Sequence, residues 1–230
     1  MKLIKDLLSI FFPDLCINCY SRLLEKENHL CTICLNDLPV IVFNDVIKKM
    51  LKSIFYGKIP IEDIYSFMYF TKNGITQKLI HGLKYKNQEN IGEFIGRRIC
   101  YEITKLQIFK NIDAIVPVPL HKSKLKKRGY NQVDYLGNIL SVHLNIPFMS
   151  GVLERESKSK TQTRKQRFER FSNSGRKFFI PNIEYLENKH ILLLDDVITT
   201  GGTLISCSEE LLKVKNIKIS ICTIAYTEKG

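Results

Sequence analysis

A chain of 230 residues with 44% apolar content has the length of one ordinary domain plus a small appendage and enough apolar side chains for a core, which excludes wholesale disorder. The 35 Lys and Arg against 23 Asp and Glu give a formal net charge of +12, which points to anionic partners only where it is clustered. No apolar run approaches the ~18 residues of a membrane span, and the stretch before Pro13 holds two lysines and no small-residue cleavage site, against a secretory signal.

In chain order, Leu3, Ile4, Leu7, Leu8 and Phe11 recur at helical spacing, so a short amphipathic helix is predicted up to Pro13. Next come Cys16-Ile-Asn-Cys19 and Cys31-Thr-Ile-Cys34, which hold four of the seven cysteines. Each CxxC sets two thiolates on one tight turn, and the pair closes a tetrahedral zinc site. Four protein ligands leave no open position, so this zinc is structural. Such cysteine usage fits a cytoplasmic metal site better than a disulfide framework. His29, between the knuckles, reads as a surface residue.

Residues 37–60 carry no clear motif. Ile61–Thr71 reads as a strand, Gly74–Lys84 and Ile91–Leu106 as helices, and Asp113–Pro117 as a short buried strand stopped by Pro117 and Pro119. Asn131–Leu144 is a predicted helix, Phe178–Ile180 and Ile191–Leu194 are strands, Thr203–Val214 is a helix and Ile217–Tyr226 a closing strand. Strands alternating with helices imply an α/β fold with a mainly parallel sheet covered on both faces. The predicted division is residues 1–45 for the amphipathic helix and zinc ribbon and 46–230 for the α/β domain.

Almost all the excess charge lies in two segments. His121–Gln132 holds Lys122, Lys124, Lys126, Lys127 and Arg128 with no acid, and Glu154–Phe178 holds nine basic residues against three acids. Six of the nine arginines fall there: Arg128, Arg155, Arg164, Arg167, Arg170 and Arg176. Guanidinium grips phosphate bidentately, so a Lys-rich chain that keeps its arginines here suggests oxyanion binding.

The most informative stretch is Ile191-Leu-Leu-Leu-Asp195-Asp196-Val-Ile-Thr199-Thr200-Gly201-Gly202-Thr203. Four apolar residues make a strand buried on both faces, and ligands in open α/β sheets bind beyond the carboxyl ends of such strands. Adjacent Asp195 and Asp196 there suit a pair of vicinal hydroxyls, directly or through hydrated magnesium. Thr199 to Thr203 supply hydroxyl donors and two glycines that let backbone N–H groups crowd an anion at a helix N-terminus. An acid pair plus a phosphate cradle is a site for a ribose 5-phosphate. A Walker B reading would need a GxxxxGK[ST] loop, which the chain lacks.

At these residues the sequence resembles the type I phosphoribosyltransferases, and beyond them the competence ComF family of DNA-uptake proteins. Val116-Pro117-Val118-Pro119-Leu120, a basic loop and Arg128-Gly129-Tyr130-Asn131-Gln132 match that family's second motif. Arg155, Gln162, Arg170, Asn173 and Phe178 match its third, with departures at Ser159 and Lys165, where the family usually has Thr and Leu. The resemblance implies a phosphoribosyltransferase-type domain joined to a zinc ribbon. It places Asp195 and Asp196 at the ribose hydroxyls and Thr199–Thr203 at the 5-phosphate. Pro119 and Leu120 fall at the pyrophosphate of phosphoribosyl pyrophosphate, with magnesium and Arg128. Residues 155–178 correspond to a mobile loop that closes over the site, including Arg155, Gln162 and Arg170.

Three readings compete. The first is a cytoplasmic competence protein that binds phosphoribosyl pyrophosphate and single-stranded DNA. The DNA contacts would be Lys122, Lys124, Lys126, Lys127, Arg128, Arg164, Lys165, Arg167 and Arg170, with Tyr130, Phe168 and Phe171 stacking on bases. A DNA-uptake helicase or channel component would be its protein partner, in the cytoplasm or peripherally at the inner membrane. The second is an active phosphoribosyltransferase of nucleotide salvage, although no segment reads as a nucleobase hood. The third is a regulator sensing phosphoribosyl pyrophosphate, for which only the ribbon offers a duplex reader.

Overall fold

The computed structural model describes residues 12–84, 89–155 and 178–228. The predicted N-terminal amphipathic helix therefore lies outside the described residues. In order, the elements are α1 (Thr32–Asn36), α2 (Asp45–Ser53), β1 (Ile64–Tyr69), α3 (Ile75–Gly82), α4 (Glu89–Lys105), β2 (Ala114–Pro117), α5 (Lys122–Arg128), α6 (Asp134–Leu144), β3 (Glu154–Arg155), β4 (Phe178–Phe179), β5 (His190–Ile198), α7 (Gly202–Leu211) and β6 (Lys218–Tyr226).

The main sheet has the order β1-β6-β5-β2, every pair parallel. Its strands are apolar almost throughout because both faces are covered. On one face, Ile91, Ile95, Ile99 and Ile103 of α4 and Leu136 and Leu140 of α6 pack on Tyr65, Phe67, Ile115, Leu192, Leu194, Cys222 and Ile224. On the other, Leu51, Phe55 and the α7 residues Leu204, Cys207 and Leu211 pack on Ile64, Ala114, Val116, Ile191, Leu193, Ile219 and Ile221. The alternation of strand residues between the two clusters follows from the two-residue period of a strand. β3 and β4 form a separate antiparallel pair that joins Arg155 to Phe178.

Three expectations change. Residues 45–53, unassigned in sequence, form α2, capped by Asn44 Oδ1, which accepts from Ile47 N at 2.9 Å. The basic loop after Pro119 is helical: Lys122–Arg128 is α5, closed by Gly129 at φ 85°. β5 runs on through the acid pair to Ile198, four residues past Leu194.

The cysteine-bearing segment rests on α3 and α4. Cys16, Leu30, Cys31, Cys34 and Leu38 join the α4 face of the core. Lys78 Nζ donates to Asn18 O at 2.7 Å, and half-buried His29 sits edge-on to Phe94, ring centroids 6.1 Å apart.

Candidate ligand crevice

The crevice originates in one missing rung of the ladder. β2 pairs with β5 from Ala114↔Ile191 to Pro117↔Leu194, and Val118 N still donates to Leu194 O at 2.8 Å. In a continuing parallel ladder the next bond would run from Asp196 N to Val118 O. Instead Asp196 N donates to Asp195 Oδ1 at 2.9 Å, and Val118 O accepts from Asn131 Nδ2 at 2.9 Å. Both halves of the rung are satisfied by side chains, so the strands part without a buried orphan there. Proline at 117 and 119 has no N–H with which to continue the ladder.

The two acids are placed differently. Asp195 is buried and spends one oxygen on the backbone beside it; burial, then the charge of Asp196, pushes its carboxyl up to about 8, so it keeps its proton at neutral pH. Asp196 is half-buried, and its Oδ2 accepts from Gln132 Nε2 at 3.0 Å with Lys84 Nζ at 3.9 Å. Arg128 Nη1 donates in turn to Gln132 Oε1. Gln132 and Lys84 are contacts that sequence reading did not assign, because only the fold brings the turn after α3 and the turn before α6 to β5.

Beyond the acids, Thr199, Thr200, Gly202 and Thr203 are exposed, and Gly201 is buried at φ 77° as the N-cap of α7. A Cβ on Gly201 would stand 2.8 Å from Ile54 Cγ2, so the residue is fixed by both its left-handed backbone and the approach of the segment after α2. Thr199 and Thr200 line a cavity of about 240 Å³ with Met50, Ser53, Ile54, Lys58 and Tyr226. The loop thus offers backbone donors and hydroxyls at a helix start, an arrangement suited to a phosphate monoester.

The described residues bring together Asp195, Asp196, the Thr199–Thr203 loop, and, through Gln132, Arg128; Pro119 and Leu120 follow the parting of β2 and β5. Lys122, Lys124, Lys126 and Lys127 are exposed on α5, with Lys122 Nζ 4.0 Å from Glu154. Tyr130 is half-buried, its hydroxyl donating to Leu83 O at 2.8 Å and its ring edge-on to Tyr135. Arg155 sits over the Phe178 ring at 5.5 Å. Gln162, Arg164, Lys165, Arg167, Phe168, Arg170 and Phe171 lie outside the described residues.

The Sγ atoms of Cys16, Cys19, Cys31 and Cys34 all lie within 4.8 Å of one another, with Cys19 and Cys31 3.6 Å apart. Thiolates on a tetrahedral zinc are separated by about 3.8 Å, so the donor set fits such an ion. Asn18 Nδ2 donates to Cys34 Sγ at 3.3 Å, the kind of outer contact that steadies a metal ligand. His29 is not part of the cluster.

The sequence model of the family described as Phosphoribosyl transferase domain matches residues 85–230. Competence protein F of Haemophilus influenzae is 27% identical over 237 residues, covering 94% of this chain and 98% of that protein. DNA utilization protein YhgH of Escherichia coli strain K12 is 30% identical over 143 residues, 59% of this chain and 60% of that one. A solved adenine phosphoribosyltransferase from Thermoanaerobacter pseudethanolicus is 16% identical, with 63% of this chain and 72% of that chain covered and a TM-score of 0.37. Among the described residues no helix is long and apolar enough to cross a membrane. With the family model spanning more than half of its length and a full-length competence relative beside it, the chain belongs to the phosphoribosyl transferase domain family, as a ComF-type member.

Proposed function

We propose that this chain supports DNA uptake in natural transformation, binding phosphoribosyl pyrophosphate with magnesium in the crevice and single-stranded DNA on its basic segments. The observation that carries the ligand half is the parted rung, which leaves the Asp196 carboxylate beside a threonine and glycine loop at a helix start. The names competence protein F and DNA utilization protein, carried by two relatives, support the DNA half. The row of exposed lysines on α5 gives it a surface that can follow a phosphodiester backbone.

In this reading Asp196 takes the ribose hydroxyls, the Thr199–Thr203 loop takes the 5-phosphate, and Arg128 with the turn at Pro119 and Leu120 faces the pyrophosphate. Magnesium would neutralise pyrophosphate charge. The four cysteines hold a structural zinc; chelation should lower the melting temperature by on the order of 10 °C, because metal binding and folding are linked. The decisive experiment measures phosphoribosyl pyrophosphate and oligo(dT) binding on one preparation. Micromolar binding of the first with magnesium, and binding of the second that falls steeply between low and physiological salt, are expected. Absence of the first, or salt-independence of the second, overturns the respective half.

The Asp196 carboxylate on the opening also favours a second reading, an active phosphoribosyltransferase in which the bond from ribose C1 to pyrophosphate breaks as a bond from C1 to a nucleobase nitrogen forms. Pyrophosphate release with any member of a nucleobase panel would establish it, and none is expected from the first reading.

A further inference from the structure

Asn131 and Gln132 are consecutive, buried and polar, and each grips a different wall of the crevice. The Asn131 amide occupies Val118 O on the β2 wall, and the Gln132 amide occupies Asp196 Oδ2 on the β5 wall. Val118 O is the acceptor that Asp196 N would use if the ladder continued. The pair therefore stands where the sheet would otherwise zip. The orientation of Gln132 follows from its neighbours: Arg128 offers only donors and the Asp196 carboxylate only acceptors, so Oε1 must face the guanidinium and Nε2 the acid. Asn131 Oδ1 is buried with no partner among the described residues, a cost that a purely structural amide would avoid.

We propose that Asn131 and Gln132 are positioning residues, a wedge that keeps β2 and β5 parted at the ligand crevice, with Arg128 fixing the amide of Gln132. The consequence for ligand binding rests on the phosphoribosyl reading above, whereas the consequence for the strands does not. With the wedge in place Asp196 presents its carboxylate to the crevice; without it Val118 O loses its partner, Asp196 N exchanges Asp195 Oδ1 for that carbonyl, and the crevice closes by one rung.

The test uses the full chain and two readouts. In a crystal structure of the Asn131→Ala/Gln132→Met variant, Asp196 N and Val118 O should close to hydrogen-bond distance; strands that stay parted overturn the proposal. Gln132→Met alone, which keeps the side-chain volume, should still fold, with a melting temperature lowered by roughly 3–10 °C for the bonds lost to Asp196 and Arg128. It should weaken phosphoribosyl pyrophosphate binding by about 10-fold, as expected for a lost bond to a charged group. Arg128→Met combined with Gln132→Met should show a loss smaller than the product of the single effects, because the part of the Arg128 effect that runs through the Gln132 amide, beside any direct contact with pyrophosphate, is already gone; fully multiplicative losses overturn the Arg128 link. If wild type binds no phosphoribosyl compound while the variant strands close, the wedge stands and the phosphoribosyl reading falls.

Discussion

The two ends of the same four strands differ in a way that volume alone would misjudge. At the amino ends a cavity of about 540 Å³ opens among Asp63, Asp113, Lys189, His190, Lys218 and Ser220, more than twice the volume beside the threonine loop. Its acids and its histidine are committed to neighbouring side chains or to the backbone. Asp63 pairs with Lys48 at 2.9 Å, Asp113 Oδ2 accepts from His190 N at 2.7 Å, and His190 Nε2 meets Ser220 Oγ at 2.9 Å. The ladder is also closed there, since Asp113 N donates to His190 O at 2.7 Å. At the carboxyl ends the ladder is parted and one carboxylate is left on the opening. An interrupted backbone rung marks the site better than a large hollow does.

The sharpest way to break that comparison is to neutralise one acid at each end. Asp196→Asn should weaken phosphoribosyl pyrophosphate binding by about 100-fold or more, since charge-assisted bonds to the ribose are lost. Asp113→Asn should leave it within about twofold, costing about 1 kcal/mol of stability for one altered bond to the backbone. Equal effects in calorimetric titrations would erase the distinction between the ends.

A smaller effect is expected at the loop. Gly201→Ala meets both the left-handed backbone and Ile54, so it should cost about 1–2 kcal/mol plus the shift of Ile54, lowering the melting temperature by roughly 3–8 °C. Gly57→Ala, at φ 69° with nothing within 4 Å of its Cβ, bears only the backbone part and should lose less. Thermal melts of the two variants compare them directly.

The remaining effect is a slope with pH. Native Asp195 holds its proton up to about 8, raised by burial and then by Asp196, whereas the unfolded chain releases it near 3.8. Between those values the native state binds more protons, so this contribution to stability falls as pH rises and levels off above about 8. Urea midpoints of the ligand-free chain between pH 5 and 8 should show the fall, and Asp195→Asn should flatten it.

Much of this was legible in the sequence because it depends on local pattern. The isoleucine spacing gave α4, and the four apolar residues before Asp195 gave the central strand. What escaped has identifiable causes. In α2 the cap Asn44 and the spacing of Ile47, Leu51 and Ile54 were present, but Lys48, Lys49 and Lys52 obscured the stripe. The helicity of α5 was hidden because it buries no side chain, leaving no apolar face to read. β5 seemed to end at the acids, though Val197 and Ile198 continue it, because pairing with β6 holds the strand past the charges. Lys84 and Gln132 reach Asp196 across 112 and 64 positions of chain, a proximity no local pattern encodes.

The acid pair has one more consequence. Past Leu194 the outer edge of β5 has no neighbouring strand among the described residues, and a bare edge is a template on which another chain can add. Asp195 folds back on the first amide past the parted rung, and Asp196 adds a charge beside it. The adjacent acids therefore also make this edge a poor template for a further strand, and Asp196→Asn, which removes the one charge there, should leave the molecule more prone to self-association.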